Sequence, residues 1–452
     1  MISGSKEIEQ KILPKIVPNE NDRVRLEKTI TELEIVVQTY LQKFDLPIEI
    51  ELVGSTAKDT YLKNNLDIDL FLCFPISTPK DELGKIGLSI GRKVLSKTEE
   101  TFAEHPYLRG EFQEYKTEIV PCYKIESASQ ILSAVDRTPL HTRYIKKHLS
   151  ESQKNEVRIF KQFLRGIGCY GAEAEIEGFS GYLCEILILK YATFQNLLVK
   201  AQHWKYHETL FLEKKPFPQF DTPLIFIDPV DNNRNVSSAL SKEKFDLFIK
   251  ACLHYIKKPQ TTFFFPNTIK SWPLEKIKKN TKGKEFIGLK IIKPEIIAEN
   301  LYPQVRKTIR SISDLCKQYG FRIFDSFFHI DEHFIYIILQ PEKKKLSKSM
   351  AHMGPPVHLE KNSNEFIEKW GNNPRTIKKP FEKNKRLYVE IEREYRDIEN
   401  LLQEQMKNLS LGKHIDRIVQ KEYIILKQDE LFKENLHNAW TVFLDKKMSW
   451  EY

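Results

Sequence analysis

Two aspartates one residue apart, Asp67-Ile68-Asp69, are the residues of this 452-residue chain whose spacing points most directly to chemistry. They open the alternating run Asp67-Ile68-Asp69-Leu70-Phe71-Leu72, and a strand sets residues i and i+2 side by side on one face. Two carboxylates held that close repel each other and need a partner, and a divalent cation is the usual one. A third acid, Glu118, sits in the strand-like segment Tyr115 to Val120. If its pleat matches, Ile119 faces the core and Glu118 faces the aspartates. Three carboxylates can hold two Mg²⁺ ions roughly 4 Å apart, the arrangement that activates an attacking hydroxyl and steadies a leaving pyrophosphate. Asp67 and Asp69 would bridge both ions, and Glu118 would hold the one that lowers the pKa of an attacking 3′-hydroxyl. Twelve and more residues upstream stands Gly54-Ser55. Gly54 lets backbone N–H groups approach a phosphate, Ser55 adds a hydroxyl donor, and Lys58 lies about one helical turn on with a positive charge.

These residues need a scaffold, and the surrounding pattern supplies one. Val24, Leu26, Ile30, Leu33, Val37 and Leu41 predict an amphipathic helix over 22–43. Ile48, Ile50 and Leu52 alternate with Glu49 and Glu51 as a half-buried strand ending at Gly54. Tyr61 to Leu66 reads as a short polar loop. Leu83, Ile86, Ile90 and Val94 mark a helix after Pro79 and Asp81, and Pro121 reads as the end of the Tyr115 strand. Residues 133–145 read as a linker to a helical block with a helix through Val157, Phe160, Phe163 and Leu164. A glycine-punctuated turn, Gly166 to Gly171, follows, and Ser180 caps one long apolar helix to about residue 200. Ser241 to Tyr255 is another helix. Farther on, Phe286–Ile292, Gln304–Tyr319, Phe321–His329 and His333–Leu339 give a β-α-β-β order, as in ferredoxin-like or RNA-recognition modules. The remainder from Glu342 is lysine-rich and largely helical in pattern, with Tyr388-Val389-Glu390-Ile391 a strand candidate.

Composition narrows the function classes. The length calls for two to four domains. The six cysteines lack paired spacing, which fits reduced thiols in a cytoplasm and argues against a zinc site. The apolar stretch Phe179 to Leu198 is interrupted by Glu185, Lys190 and Gln195, so no membrane partner is expected, and the polar N-terminus carries no signal peptide. The formal charge is +9, with basic runs at Lys343-Lys344-Lys345, Lys378-Lys379 and Lys383-Asn384-Lys385-Arg386. Each alone reads as a solvated face; beside the acid pair they point to a polyanion such as RNA.

Gly54-Ser55 followed by Asp67-Ile68-Asp69 resembles the polymerase beta-like nucleotidyltransferase superfamily. Longer strings are similar to the archaeal-type (class I) CCA-adding enzymes, the tRNA nucleotidyltransferases: Glu118-Ile-Val-Pro-Cys-Tyr123, Ser133-Ala-Val-Asp-Arg-Thr-Pro139, Tyr170-Gly-Ala-Glu173, Gly178-Phe-Ser-Gly-Tyr-Leu-Cys-Glu185, Asp228-Pro-Val-Asp231 and Arg234-Asn-Val236. The likeness covers residues 1–260, extends more weakly through 261–357, where Asn300-Leu-Tyr-Pro-Gln304 and Met353-Gly-Pro355 match, and is faint beyond. It implies Ser55 and Lys58 on the nucleotide's phosphates, His141, Lys161 and Tyr170 around triphosphate and sugar, and Asp67, Asp69 and Glu118 on Mg²⁺. It also implies Arg234 at the incoming base, with His105 and Thr138 as further pocket residues. The chain departs from the family's commoner pattern at Glu118, where Asp is usual, and at Lys58, where Arg is usual and would bring a bidentate fork.

The resemblance implies an α+β, multidomain fold. It comprises a mixed-sheet nucleotidyltransferase head at 1–145, a helical central nucleotide-binding domain at 146–260, a ferredoxin-like RNA-binding body at 261–357 and a largely helical basic tail at 358–452. The implied activity is template-free addition of C, C and A to the 3′ end of tRNA from CTP and ATP with Mg²⁺, the basic modules gripping the acceptor stem; a homodimer is among the assemblies admitted. Rival readings are a poly(A) or other terminal RNA nucleotidyltransferase, and an RNA-binding homologue weakened in catalysis. Without the resemblance, Lys161 and Tyr170 read as helix-surface and turn residues, His141 as a structural hydrogen-bonder, and Arg234 as one half of a local salt bridge after Asp231.

Overall fold

The computed structural model describes residues 2–63, 66–102, 106–213, 217–427 and 429–452. The chain forms two compact units, Met1–Asn267 with Met448–Tyr452, and Thr268–Lys447.

The first unit opens with helices α1 (Ser5–Ile16) and α2 (Glu20–Leu41). Asn19 and Asp22 close a capping box at the start of α2, whose buried stripe is Leu26, Leu33, Val37 and Leu41. Strand β1 (Glu49–Val53) runs into a one-turn helix α3 (Gly54–Ala57), and β2 (Asp67–Phe74) follows. Next come α4 (Lys80–Val94), β3 (Ser96–Phe102), β4 (Pro106–Phe112) and β5 (Tyr115–Tyr123). The five strands make one mixed sheet in the order β1-β2-β5-β4-β3, with β2 and β5 parallel and the other pairs antiparallel. Ile68, Leu70, Leu72 and Ile119 point into the core beneath α2 and α4, so their odd-numbered neighbours on β2 point the other way. Helix α4 approaches the sheet closely because a Cβ on Gly87 would lie 2.8 Å from Pro121.

The helical part holds α5 (Arg137–His148), α6 (Glu151–Gly166), α7 (Gly181–Tyr191), α8 (Phe194–Ala201), a two-stranded β6 (Glu208–Leu210) and β7 (Leu224–Phe226), and α9 (Lys242–Lys257). Its core is aromatic: Phe163 lies within 5.9 Å, ring to ring, of Phe194, Tyr255, Phe263 and Phe264. Trp450 stacks on Phe263.

The second unit contains α10 (Leu274–Thr281), β8 (Ile287–Ile292), α11 (Ala298–Gln318), β9 (Ile323–Ile330), β10 (Phe334–Pro341), β11 (Ser349–Pro356), α12 (Glu360–Gly371), β12 (Thr376–Lys383), β13 (Arg386–Glu392), α13 (Ile398–Gln405), α14 (Lys413–Lys421), β14 (Ile424–Leu426) and α15 (His437–Asp445). One antiparallel sheet has the order β14-β8-β10-β9, the 4-1-3-2 order of a ferredoxin-like unit. A second sheet, β11-β13-β12, is inserted between β10 and the last helix-strand pair.

Several expectations change. Pro121 does not end its strand: the β4–β5 pairing stops at Leu108↔Ile119, so at Pro121 the ladder to β2 alone continues and no N–H is owed to β4. Residues 133–145 are not a linker, since Asp136 accepts from Tyr123 N, Leu132 N and Ser133 N and launches α5. The segment after the Gly54 turn is not simply polar, because Tyr61 and Leu62 are buried. The apolar helix after Ser180 is two helices bent by 92°; Ala192 sits at φ 66° and the Thr193 side chain caps α8. The tail holds α12 to α15 and, at Tyr388–Ile391, the expected strand within β13; β12, which pairs with it, was not foreseen. No single helix among the described residues is long and apolar enough to cross a membrane.

Candidate active site

The parallel ladder sets Asp69 directly opposite Glu118, while the antiparallel ladder sets Val53 opposite Asp69 on the other side. Asp67 stands two residues earlier on the same face. Gly54 takes φ +73°, and a Cβ there would fall 1.9 Å from Asp69 Oδ2, so both its backbone and its missing side chain are required. The Thr56 hydroxyl donates to Asp67 O at 2.6 Å, pinning the turn to the acidic strand. Burial pushes the Asp69 carboxyl up to about 7, with Glu118 and Asp67 adding to the rise against Lys58 and Arg109. Glu118 Oε1 accepts from Arg109 on β4 at 2.6 Å, and among the described residues no three His, Cys, Asp or Glu side chains are gathered as a ready metal cage. The donor set nonetheless fits Mg²⁺: hard carboxylate oxygens, one of them on a group whose charge its surroundings leave under-compensated.

Beside this face lies a buried charge cluster. Lys58 Nζ donates to Glu185 Oε2 at 2.5 Å, and the Thr60 hydroxyl donates to Glu185 Oε1 at 2.6 Å. Lys161 Nζ donates to Thr60 O and Oγ1, both at 3.1 Å, and to Glu185 at 3.4 Å. Burial alone raises the Glu185 carboxyl, but Lys58, Lys161 and the hydrogen bonds outweigh it and hold its pKa below the usual value. Burial lowers that of Lys161 despite Glu185. Tyr170 approaches the same place, for a Cβ on Gly181 would meet Tyr170 Oη at 3.3 Å and Lys161 Nζ at 3.8 Å. Burial raises the Tyr170 phenol. The backbone between Asp59 and Tyr61 is latched to α6 by the buried Arg158, which donates to Tyr61 O at 3.0 Å and Asp59 O at 2.7 Å.

A second cluster centres on Asp228, whose side chain is fully buried. It accepts from His141 Nε2 at 2.8 Å, Arg234 Nη1 at 2.9 Å, Tyr182 Oη at 3.1 Å and Val230 N at 3.1 Å. His141 stacks on Tyr182 at 3.9 Å. Burial lowers the His141 pKa although Asp228 opposes it, and His141, Val230 N and Arg234 depress that of Asp228 although burial opposes them. Arg234 therefore pairs with Asp228, and Asp231 pairs with Arg137 at 2.8 Å. Thr138 is half-buried on α5, one turn before His141.

The predicted residues thus fall into three adjoining groups: Asp67, Asp69, Glu118, Gly54 and half-buried Ser55 at the sheet; Lys58, Lys161 and Tyr170 around Glu185; His141, Thr138 and Arg234 around Asp228. The two clusters touch through Tyr182, whose ring lies 5.9 Å from Lys58 Nζ. His105 lies outside the described residues. Sequence reasoning gave no role to Glu185, Asp228, Tyr182, Thr60 or Arg109. The first three stood in quoted strings, and an acid inside an apolar helix is itself a signal, since a buried charge demands partners. Nothing flagged Arg109, whose strand was not foreseen.

Family comparisons cover most of the chain. Residues 33–141 match the model of the nucleotidyltransferase domain, 155–265 that of the tRNA nucleotidyltransferase second domain, and 282–428 that of the CCA-adding enzyme C-terminal domain. A CCA-adding enzyme of Methanocaldococcus jannaschii is 35% identical over 91% of this chain and 94% of its own length. That of Methanosarcina barkeri is 32% identical over 93% of this chain and 94% of its own length. That of Methanococcus maripaludis is 37% identical over 79% and 83%.

Proposed function

The chain belongs to the family of CCA-adding enzymes, and from that premise we propose how its own residues carry out the reaction. It is a nucleotidyltransferase that adds CCA to the 3′ end of tRNA. The nucleotides are CTP and ATP, and the RNA is held by its acceptor stem and 3′ end. Asp67, Asp69 and Glu118 would hold Mg²⁺. Bound there, Mg²⁺ supplies a lowered pKa for the attacking 3′-hydroxyl and neutralises charge on the leaving pyrophosphate. Gly54 and Ser55 bring backbone N–H and hydroxyl donors to the triphosphate. Lys58, whose charge is shared with Glu185, lies on the phosphates, and Lys161 and the neutral Tyr170 stand around triphosphate and sugar. His141 and Thr138 line the sugar side. Arg234, a donor-only group, faces the ring nitrogen that cytosine and adenine both present as an acceptor on their pairing edge.

One observation carries this reading. The parallel ladder registers Asp69 opposite Glu118, with Asp67 two residues earlier on the same strand face, against a glycine that tolerates no side chain, and Asp69 has a pKa raised to about 7. Such under-compensated acids are what a divalent cation site needs. The purified protein is to be incubated with tRNA lacking its last three nucleotides, with CTP, ATP or both, in Mg²⁺. Two C residues from CTP alone and a final A only with both are expected; no incorporation of CTP would overturn the reading, as would activity surviving Asp69→Ala.

A further inference from the structure

Resting on the proposed position of Arg234, we infer that Asp228 is the positioning residue that sets the enzyme's choice of base, by fixing Arg234 and His141 against one buried carboxylate. Four donors converge on this side chain, two on each oxygen, and it has no exposed surface of its own. Arg234 leans on it from a side chain about one-third exposed, using Nη1 alone and leaving Nε and Nη2 uncommitted among the described residues. His141, stacked on Tyr182, is fixed by the same oxygen that takes Arg234. One anion therefore orients two side chains that come from α5 and from the turn after β7.

The backbone of Arg234 is held separately. Asp228 N donates to Arg234 O, Arg234 N donates to Asp231 O, and Ile227 bridges Asn235. Those bonds hold the backbone at Arg234 without the Asp228 side chain; one carboxylate oxygen takes Val230 N at the start of the turn and the Tyr182 hydroxyl, and the other takes the guanidinium and the imidazole. A guanidinium freed at its Nη1 recovers several rotamers, and a donor that wanders no longer separates a ring-nitrogen acceptor (cytosine, adenine) from a ring N–H (uracil, guanine). Fixing Arg234 thus affects which base is accepted more than how fast the nucleotidyl group is transferred.

The test is steady-state incorporation of CTP and, separately, UTP onto CCA-less tRNA by the full chain carrying Asp228→Asn, with Arg234→Ala alongside. Asn keeps the shape but replaces one acceptor oxygen by a donor, so at least one of the four donors is stranded. The CTP/UTP ratio in kcat/KM is expected to fall by about tenfold or more in Asp228→Asn, through a raised KM for CTP with kcat little changed, the size of one lost charge-assisted hydrogen bond. A merely structural role would reduce the active fraction and lower kcat for both nucleotides while leaving ratio and KM alone; that result would overturn the inference. Arg234→Ala separates the two levels. If it leaves the ratio unchanged, the placement of Arg234 at the base is wrong and the inference falls with it. A narrowed ratio in Arg234→Ala with an unchanged one in Asp228→Asn overturns the inference alone. Should Asp228→Asn not fold, Asp228→Glu carries the same test, since it retains the charge but displaces Arg234 by one methylene.

Discussion

Replacing Asp69 by Asn is expected to stabilise the metal-free protein at alkaline pH while abolishing its activity. In the folded chain the Asp69 carboxyl is raised from 3.8 to about 7, by burial first and by Glu118 and Asp67 next. Below pH 3.8 both folded and unfolded chains carry the proton, and Asn mimics the neutral acid. Between about pH 4 and pH 7 only the folded chain holds it, so stability falls as pH rises through that window and is flat above it. The shift of about three units corresponds to about 4 kcal/mol, and the partial exposure of Asp69 reduces that by screening to about 2 kcal/mol. At pH 8 in EDTA, Asp69→Asn should then melt about 4–8 °C above the parent, given the usual temperature response of a unit this large. At pH 5 about a third of the gain should remain. Saturating Mg²⁺ should reverse the order, since a ligand at 100 times its Kd adds about 2.7 kcal/mol to the parent only. Differential scanning calorimetry of both proteins at both pH values, with EDTA and with Mg²⁺, makes the comparison. An Asn variant no more stable than the parent at pH 8 in EDTA, or equally favoured at both pH values, would refute the reasoning.

Two further outcomes follow from the same face and its neighbour. Gly54→Ala forces an L-residue to φ +73° and drives a methyl into Asp69, so CTP incorporation should fall by about 100-fold with the far-ultraviolet circular dichroism retained; near-normal activity would deny the close approach. Glu185→Gln leaves Lys58 and Lys161 buried without a counter-charge, and urea unfolding should show a loss of about 3–5 kcal/mol; a loss below about 1 kcal/mol would mean the cluster opens to water.

Alternation carried the centre of the fold. The β1–β2 hairpin-like pair, the β2–β5 register and the ferredoxin-like order of β8, α11, β9 and β10 all follow from residues whose two faces differ in polarity. The edge did not. Lys97, Glu99 and Glu100 on β3 are exposed and show no buried face, so nothing in the types marks a strand; the pairing with β4 makes it one. In the second unit Lys378, Lys379 and Lys383 read only as a solvated basic face, yet their segment is β12 and lies beside β13, whose Leu387, Val389 and Ile391 are buried. Lysine is indifferent to which regular structure it decorates when its charge stays in water.

The site divides the same way. Positions that bear positive charge were named from the resemblance, and the acids that hold them were not. Physical sorting of the acids is nevertheless direct once partners are known. Glu185 faces two lysines and a hydroxyl, and Asp228 faces an arginine, a histidine, a tyrosine and a backbone N–H; both end with carboxyls below the ordinary range in spite of burial. Asp69, half-buried, stands beside Asp67 and Glu118, and its carboxyl ends well above that range. A depressed pKa marks an acid whose charge is already answered, so it holds other groups in place; a raised one marks an acid still owed a positive charge. Glu118, the third acid of this face, has its oxygen engaged by Arg109. At the proposed cation site, binding would have to compete with that guanidinium for Glu118, whereas among the described residues no side chain donates a hydrogen bond to the Asp69 carboxylate. By this criterion the proposed cation would depend most on Asp69, and Arg109 would tune the share taken by Glu118.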